Sequence, residues 1–208
     1  MRNGANRTSK EPHPALPAQQ GGKRSFCVTI GLGSNLGNRL GNLVKALAHL
    51  ARDPRVRLQK ISSLYRTEPV LSGAEGPVQA KSLPDFLNAV IQIRTSMMPQ
   101  ELMHCLQRIE ARVGRVRAGR GSDRQNSPRT LDLDILEHGR VFVKQDNLVI
   151  PHPRMLTRKF VLAPLAEIRP RGILQTGGKS VREVLKSRNV ASQRAEPVPN
   201  VRLRIKAK

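Results

Sequence analysis

The sequence predicts an α+β protein with a ferredoxin-like βαββαβ core. Two observations support this prediction. Two segments carry apolar residues at helical spacing, and four carry the alternating or β-branched pattern of strands. Their order along the chain predicts a mostly antiparallel sheet with the helices on one face. A fold of this kind assigns no function by itself, so the function depends on particular residues.

The first half of the chain predicts a strand, a helix and a second strand. Residues 25–32 (SFCVTIGL) form a strand that Gly33 is expected to end. The segment NRLGNLVKALAHLAR places leucine and valine at helical spacing, with Asn38 as the expected N-cap. Residues 56–67 (VRLQKISSLYRT) alternate as one strand. Residues 66–84, rich in Pro, Gly and Ser, predict a long loop.

The second half repeats the pattern and adds smaller elements. DFLNAVIQIRT predicts a strand, PQELMHCLQRIEARVG a helix, and residues 115–128 an arginine-rich loop. RTLDLDILEHG predicts the last core strand, and RVFVK is expected to pair with it as a hairpin across His138 and Gly139. Further helices are expected over about 157–167 and 180–187.

Composition divides the chain into a folded domain and two basic ends. The 208 residues carry 37 basic and 15 acidic side chains, a net charge of +22. Residues 1–24 are expected to be a disordered basic extension, residues 25–188 the domain, and residues 189–208 a basic tail. Such a balance favours polyanionic partners, and the tails are candidates for contact with nucleic acid or another anionic partner.

Cysteines and hydropathy indicate where the protein works. Cys27 and Cys105 lie in apolar surroundings, far apart and without metal-ligand spacing, so both are expected to be buried thiols. The polar N-terminus lacks the apolar stretch of a signal peptide. No run approaches the length of a membrane span. We therefore expect a cytoplasmic protein with no membrane contact.

Two aspartates stand inside an apolar run, in the stretch PRTLDLDIL. Because alternate residues of a strand point to the same face, Asp132 and Asp134 should share one face while Leu131, Leu133 and Ile135 share the other. Two carboxylates so close repel each other unless cations lie nearby, and either arginines or divalent metal ions could supply the charge. The alternative is an exposed polar strand face, because DxD alone is a weak signal.

Arginines crowd the loop that precedes the aspartates: Arg115, Arg117, Arg120, Arg124 and Arg129. One guanidinium group can bind two phosphate oxygens at once through two parallel hydrogen bonds. Metal ions beside arginines suit a nucleoside triphosphate, in which the metal bridges the phosphates. A solvated basic loop is the alternative.

Other motifs are weaker. GLGSNLGN does not match the spacing of a dinucleotide-binding fingerprint, so a tight turn and helix start are favoured there. In PHPRMLTRKF, His152 is followed by cations and is a candidate phosphate contact, although a lone histidine is more often structural. Phe86 and Phe160 are core residues or, if both face one cleft, a pair that stacks a flat heterocycle.

Taken together, the motifs resemble the 6-hydroxymethyl-7,8-dihydropterin pyrophosphokinase family. The resemblance covers about residues 26–168 through GLGSNLGNR, SSLYRTEP, DFLNAV, QRIEARVGRVR, PRTLDLDIL and IPHPRMLTRKFVLAPLAEI, in family order. It implies transfer of the terminal pyrophosphoryl group of ATP to the hydroxymethyl oxygen of the pterin, with release of AMP. It also implies a monomer, and small-molecule substrates rather than a macromolecular one.

The resemblance also implies residue roles. Asp132 and Asp134 would hold two Mg²⁺ ions on the phosphates of ATP, the co-substrate. Phosphate and loop-closing contacts would come from Arg115, Arg117, Arg129, His152 and Arg158. Phe86 and Phe160 would sandwich the pterin and Asn88 would bind its edge, while Gln107 and Glu110 take the nucleotide-side and metal-facing positions on the helix.

The chain departs from the family pattern in the arginine loop. Many members carry a tryptophan there, and this chain contains none. The correspondence of Arg120 and Arg124 is therefore open. Two other classes stay open on the sequence: an RNA-binding module, which the element order and charge permit, and a metal-dependent nuclease built on the aspartate pair. The first lacks an RGFGFVxF-like segment, and the second lacks further matching carboxylates.

Overall fold

The structure is a computed structural model that describes residues 25–68, 84–115, 129–175 and 178–203. The strands are β1 (Phe26–Ser34), β2 (Val56–Ile61), β3 (Tyr65–Thr67), β4 (Phe86–Thr95), β5 (Asp132–His138), β6 (Val143–Gln145), β7 (Leu148–Ile150) and β8 (Ala195–Pro197). The helices are α1 (Arg39–Arg52), α2 (Pro99–Arg112), α3 (Lys159–Ile168), α4 (Val181–Leu185) and α5 (Arg188–Ala191), with a short 3-10 turn at Met155–Thr157 before α3.

The main sheet has the strand order β5-β1-β4-β3-β8, and β2 also pairs with β4. All its strand pairs are antiparallel. Because β2 and β3 occupy the place of one strand, the core order is that of a ferredoxin-like fold. The predicted fold class and the antiparallel sheet are confirmed.

The two faces of the sheet are covered by different helices. The larger apolar cluster joins β1, β4 and β5 to α1 and α2 through Ile30, Leu47, Ile91, Leu106 and Leu133, among others. A second cluster joins Val90 and Leu136, on the opposite face, to Val161, Leu162 and Leu165 of α3. The prediction that the helices lie on one face of the sheet therefore holds for α1 and α2 only. The second face carries apolar side chains as well, and α3 removes them from water.

Helix α1 begins where the sequence predicts. The Asn38 side chain accepts a hydrogen bond from the Gly41 backbone N–H at 2.9 Å. This bond satisfies one of the free N–H groups of the first turn, as an N-cap does. The predicted cap is confirmed.

Two predicted strand boundaries are wrong. Strand β1 continues through Gly33 to Ser34, because Gly33 pairs with both Asn88 and Asp132. The predicted strand 56–67 is divided into β2 and β3. At the break, the Ser62 N–H donates to the Val90 carbonyl, and the Ser62 hydroxyl, in place of a backbone carbonyl, accepts from the Val90 N–H, each at 3.0 Å.

The predicted hairpin across His138 and Gly139 is also wrong. Strand β6 pairs with β7 in a separate two-stranded sheet and does not pair with β5. The Gly139 N–H instead donates to the Cys27 carbonyl at 2.8 Å and so continues the contact between β5 and β1. The sequence pattern could not distinguish these partners, because β6 and β7 are only three residues long each.

The chain beyond residue 188 does not behave as the solvated tail that composition suggested. Strand β8 pairs with β3, and Leu203 is only 5% exposed in the larger cluster. The domain therefore extends to residue 203 in the described structure. The predicted extension 1–24, residues 204–208 and most of the two predicted loops lie outside the described residues.

The two cysteines differ. Cys105 is buried, as expected, but Cys27 is exposed, because its strand position faces away from the larger apolar cluster. Among the described helices, none is long and apolar enough to cross a membrane.

Candidate active site

The alternation of β5 separates carboxylates from core. Leu131, Leu133 and Ile135 are buried in the larger apolar cluster, while the side chains of Asp132 and Asp134 retain 20% and 40% of their exposure. Both carboxylates lie on the face of the sheet opposite α1 and α2. The prediction that the two aspartates share one face is confirmed by this burial pattern.

Two arginines neutralise Asp132. Arg115 Nη1 donates to Asp132 Oδ1 at 2.7 Å, and Arg129 Nη1 donates to Asp132 Oδ2 at 2.5 Å. Each carboxylate oxygen therefore has its own guanidinium partner. Two residues of the predicted arginine cluster thus meet the aspartates, while Arg117, Arg120 and Arg124 lie outside the described residues.

Glu110 ties the second core helix to the strand that bears the aspartates. Its Oε1 accepts a hydrogen bond from the Leu133 backbone N–H at 2.8 Å and also contacts Arg115 Nη1. The residue is only 3% exposed. A buried carboxylate with these two partners fixes where Arg115 and β5 lie relative to each other.

Arg129 is held through its backbone as well. Its N–H donates to Asn35 Oδ1 at 2.6 Å, and its carbonyl accepts from the Asn35 N–H at 3.0 Å. Asn42, buried on α1, donates to the neighbouring Thr130 carbonyl at 3.1 Å. The turn after β1 therefore positions the residues that precede β5. Asn35 lies 94 residues away from Arg129 in the chain, so no local sequence pattern predicts the contact.

The second aspartate has an unusual titration. Burial at the base of the cleft and the nearby Asp132 carboxylate raise the pKa of Asp134 to about 7. A cation bound beside Asp134 would favour its ionised form, because it would offset both the desolvation and the repulsion from Asp132.

His152 faces Asp134 in its neutral form. Burial, together with the charges of Arg158 and Arg154, lowers the pKa of His152 to about 4. Its Nδ1 accepts a hydrogen bond from the Arg154 backbone N–H at 3.2 Å, so the proton is on Nε2. Nε2 lies 4.0 Å from Asp134 Oδ2. The imidazole is therefore a hydrogen-bond donor toward the cleft.

A large open cavity of about 640 Å³ lies on one side of the aspartates. The predicted site residues that line it are Gln107, Glu110, Arg115, Arg129, Asp132, Asp134 and His152. Cationic and hydrogen-bonding groups thus surround one end, while Leu36, Leu106 and Leu148 add apolar wall. Such a lining suits a ligand with a charged end and a flat, less polar end.

A smaller cavity of about 140 Å³ lies on the other side of the same aspartates. Phe86, Asn88 and Phe160 line it, so the two phenylalanines do face one cleft. The Asn88 amide donates to Thr67 Oγ1 at 2.8 Å, and the Arg158 guanidinium lies 5.3 Å from the centre of the Phe160 ring. This cavity has the size and flat walls that suit a small heterocycle.

Two glycines form part of the floor of the smaller cavity. Gly31 and Gly33 both lie within β1 on the site face, as predicted for Gly31, whereas Gly33 was expected to end the strand. A Cβ on Gly33 would approach Asn88 Oδ1 to 2.8 Å, closer than any normal contact. Sequence reasoning missed this role. Two glycines at alternate positions inside a strand are the signal, since such residues often mark a close approach.

The two cavities meet at a shared set of residues: Arg129, Asp132, Asp134 and His152 line both. A group passed from a ligand in one cavity to a ligand in the other would cross the aspartates. Among the described residues, no cluster of three or more His, Cys, Asp or Glu side chains forms a ready metal site. The RNA-binding alternative is weakened, because α3 covers the sheet face on which bases would stack.

Comparison with known proteins gives one consistent match. The family model for 7,8-dihydro-6-hydroxymethylpterin-pyrophosphokinase matches residues 29–170. A Bacillus subtilis protein named 2-amino-4-hydroxy-6-hydroxymethyldihydropteridine pyrophosphokinase is 45% identical over 139 residues, which cover 67% of this chain and 75% of that protein. A Synechocystis protein of the same name is 40% identical over 156 residues, covering 75% of this chain and 73% of that one.

Solved structures agree on the fold. A Plasmodium falciparum HPPK-DHPS chain superposes with a TM-score of 0.56 at 12% identity, covering 77% of this chain and 45% of that chain. At this identity the likeness concerns the fold alone. The chain spans less than half of that longer protein.

Proposed function

The chain belongs to the 7,8-dihydro-6-hydroxymethylpterin-pyrophosphokinase family, and from this membership we propose its reaction. It transfers the pyrophosphoryl group of ATP to the hydroxymethyl oxygen of 6-hydroxymethyl-7,8-dihydropterin. The products are the pterin diphosphate and AMP, and the step belongs to folate biosynthesis. The chain is accordingly an ATP-dependent diphosphotransferase.

One observation carries this proposal: two cavities of different size and lining meet at the aspartate pair. The larger cavity takes ATP, with its phosphates directed toward Asp132 and Asp134. The smaller cavity takes the pterin, with its hydroxymethyl group directed toward the same point. The acceptor oxygen then lies beside the phosphorus that it attacks, and holding the two reactants in this geometry supplies much of the rate enhancement.

Cations around the shared residues stabilise the phosphate charge. Arg115 and Arg129 already contact Asp132, and both line the larger cavity. Arg158 and the Nε2–H of His152 approach from the other wall. Phosphoryl-type transfer develops charge on non-bridging oxygens, which such donors stabilise without covalent chemistry. Arg117 is included in this set as a proposal from the family resemblance.

The residues present fit magnesium. Asp132 and Asp134 supply hard oxygen ligands on one strand face. Desolvation and the Asp132 carboxylate raise the pKa of Asp134, and a bound cation would favour its ionised form. Phosphate oxygens of ATP would supply further ligands of the same hard type. Two Mg²⁺ ions held between the aspartates and the phosphates would polarise the phosphoryl group when bound.

The pterin is held by stacking and by one amide. Phe86 and Phe160 line the smaller cavity, and Asn88 is fixed by its bond to Thr67. A fixed amide presents donor and acceptor atoms to the edge of a heterocycle, which rejects rings that lack the matching groups. As the new bond forms between the hydroxymethyl oxygen and the β-phosphorus, the bond from that phosphorus to the oxygen of the AMP phosphate breaks, and the hydroxyl proton passes to solvent.

The proposal is tested by AMP release from ATP with 6-hydroxymethyl-7,8-dihydropterin. We expect wild-type activity to need Mg²⁺ and to disappear with EDTA. Asp134→Asn should lower turnover by at least about 100-fold, since it removes charge from the reacting centre. Asp53→Asn, which changes a partly buried carboxylate paired with Arg55 outside both cavities, is the matched control and should keep wild-type turnover. AMP release by Asp134→Asn equal to that of the control would show the assignment to be wrong.

A further inference from the structure

The segment 188–203 bridges two walls of the smaller cavity, and it lies wholly beyond the family match, which ends at residue 170. One wall is the end of β3, where Thr67 and Glu68 line the cavity. The other is the start of α3, where Arg158 and Phe160 line it. This segment touches both walls, β3 through β8 and the start of α3 through Gln193.

The first attachment caps helix α3 with a side chain that lies 34 residues further along the chain. The Gln193 side chain accepts a hydrogen bond from the Lys159 backbone N–H at 2.9 Å. Its amide also donates to the Thr157 carbonyl at 2.7 Å. Arg158, the N-cap residue of α3, makes no side-chain cap bond of its own. Gln193 therefore satisfies a first-turn N–H group that the local sequence leaves free.

The second attachment extends the sheet. In the pairing of β8 with β3, Thr67 lies opposite Ala195. The Val198 N–H donates to the Leu64 carbonyl at 2.8 Å. Without β8, β3 would be a three-residue edge strand, and the end that bears Thr67 would have one neighbour only. Because Thr67 holds the Asn88 amide, the position of β3 is passed to the group that faces the pterin.

The segment is anchored at both ends in apolar clusters. Val190, before Gln193, is 1% exposed and packs with α3, while Leu203, after β8, is 5% exposed and packs in the larger cluster. Between these anchors the chain is bonded to both cavity walls. An ordered bridge of this kind fixes the distance between the walls.

We propose that Gln193 is a positioning residue for the pterin pocket. Through the cap on α3 it sets where the Phe160 ring and the Arg158 guanidinium lie, while the adjoining β8 sets Thr67 and thereby Asn88. The inference rests on the proposed function, because it concerns the same pocket. It makes the affinity for the heterocycle depend on a segment that touches no reacting atom.

The test is a comparison of Michaelis constants in the full-length protein. Gln193→Leu keeps the size of the side chain and removes its three hydrogen bonds, to the backbones of Lys159, Thr157 and Asn189. We expect the KM for the pterin to rise about three- to tenfold, the loss of one to two net hydrogen bonds, while the KM for ATP and kcat change less than about twofold. Gln193→Glu keeps the acceptor for the Lys159 N–H but places an oxygen against the Thr157 and Asn189 carbonyls, so its pterin KM should also rise above that of wild type.

The matched control is Asn189→Ala. Asn189 lies one turn earlier on α5, and only its backbone carbonyl contacts Gln193, so the bridge stays intact. A pterin KM for Gln193→Leu equal to that of this control, or an equal rise in both KM values, would overturn the proposal. If Gln193→Leu does not fold, Gln193→Glu decides alone by the same comparison. Inactive wild-type protein would instead count against the proposed function.

Discussion

Gly33 offers a direct test of how closely the sheet packs beneath the smaller cavity. A Cβ at this position would lie 2.8 Å from Asn88 Oδ1, which is 0.6 Å short of the 3.4 Å at which ordinary contact begins. Asn88 cannot retreat, because β4 lies between β1 and β3 and its amide already meets Thr67 Oγ1 at 2.8 Å on the far side. Gly33→Ala must therefore displace the amide or move a strand.

The expected magnitude follows from two opposing effects. Overpacking of this kind costs about 1–3 kcal/mol of unfolding free energy. Replacing glycine returns about 0.4–1 kcal/mol by restricting the unfolded chain. The net loss of about 1–2 kcal/mol corresponds to a fall in Tm of about 2–8 °C for a domain of this size. The pterin KM should rise as well, since the displaced amide is the group that faces the ring.

Gly31→Ala is the steric control for this measurement. The added Cβ would meet only Leu136, at 3.6 Å, an ordinary contact on the same strand face. We expect its Tm to match or exceed that of wild type in differential scanning calorimetry. If Gly33→Ala melts at the same temperature as Gly31→Ala, the close approach between Gly33 and Asn88 is not real and the reasoning fails.

Three further predictions concern charge and hydrogen bonding. The raised pKa of Asp134 means that the metal-free fold loses stability as pH rises from about 4 to about 7. At pH 8 without metal or ATP, Asp134→Asn should therefore raise the free energy of unfolding by about 1 kcal/mol, after allowance for the 40% exposure of the side chain, and Tm should rise with it. An unchanged Tm would contradict this. The lowered pKa of His152 means that the free energy of unfolding falls as pH drops from about 6.5 to about 4, because the histidine of the unfolded chain protonates first. His152→Gln should remove about 2–3 kcal/mol of that decline, measured by urea unfolding at each pH. Parallel plots of unfolding free energy against pH for wild type and variant would refute this. Tyr65→Phe loses the 2.5 Å bond from the hydroxyl to Glu167 Oε1 and should lower unfolding free energy by about 1–2 kcal/mol, with Arg66→Ala, exposed on the same strand, as a control that stays within about 0.5 kcal/mol of wild type.

Local patterns could be predicted well from the sequence. The alternation of β5 correctly assigned Asp132 and Asp134 to one face and the leucines to the other, because a strand has a period of two wherever one face is buried. The N-cap at Asn38 could also be predicted, because a cap depends on residues within one helical turn. Phe86 and Phe160 were predicted as a pair only on the condition that they share a cleft, which the structure fulfils.

Long-range contacts could not be predicted. A bulge between Thr29 and Ile30 in the register of β1 and β5 leaves Leu136 without a partner and turns His138 into the larger core, where its Nε2 lies 3.0 Å from the Met97 carbonyl. The sequence DLDILEH contains no pattern that predicts this shift in register. β8 is similarly hidden, because AEP has little strand character and forms only beside β3. Its stability comes from the partner and not from its own sequence.

Strand β5 supplies core residues on one face and the site carboxylates on the other, and this has a consequence for which mutations the gene can tolerate. Loss of one codon between those for Leu131 and Ile135 would move the carboxylates that follow toward α2 and the leucines toward solvent, since every side chain changes face at once. Point changes at these positions lose one function each, whereas a frame-preserving deletion loses core and site together. Length variation between relatives should therefore be confined to the connections around this strand and should be absent within it.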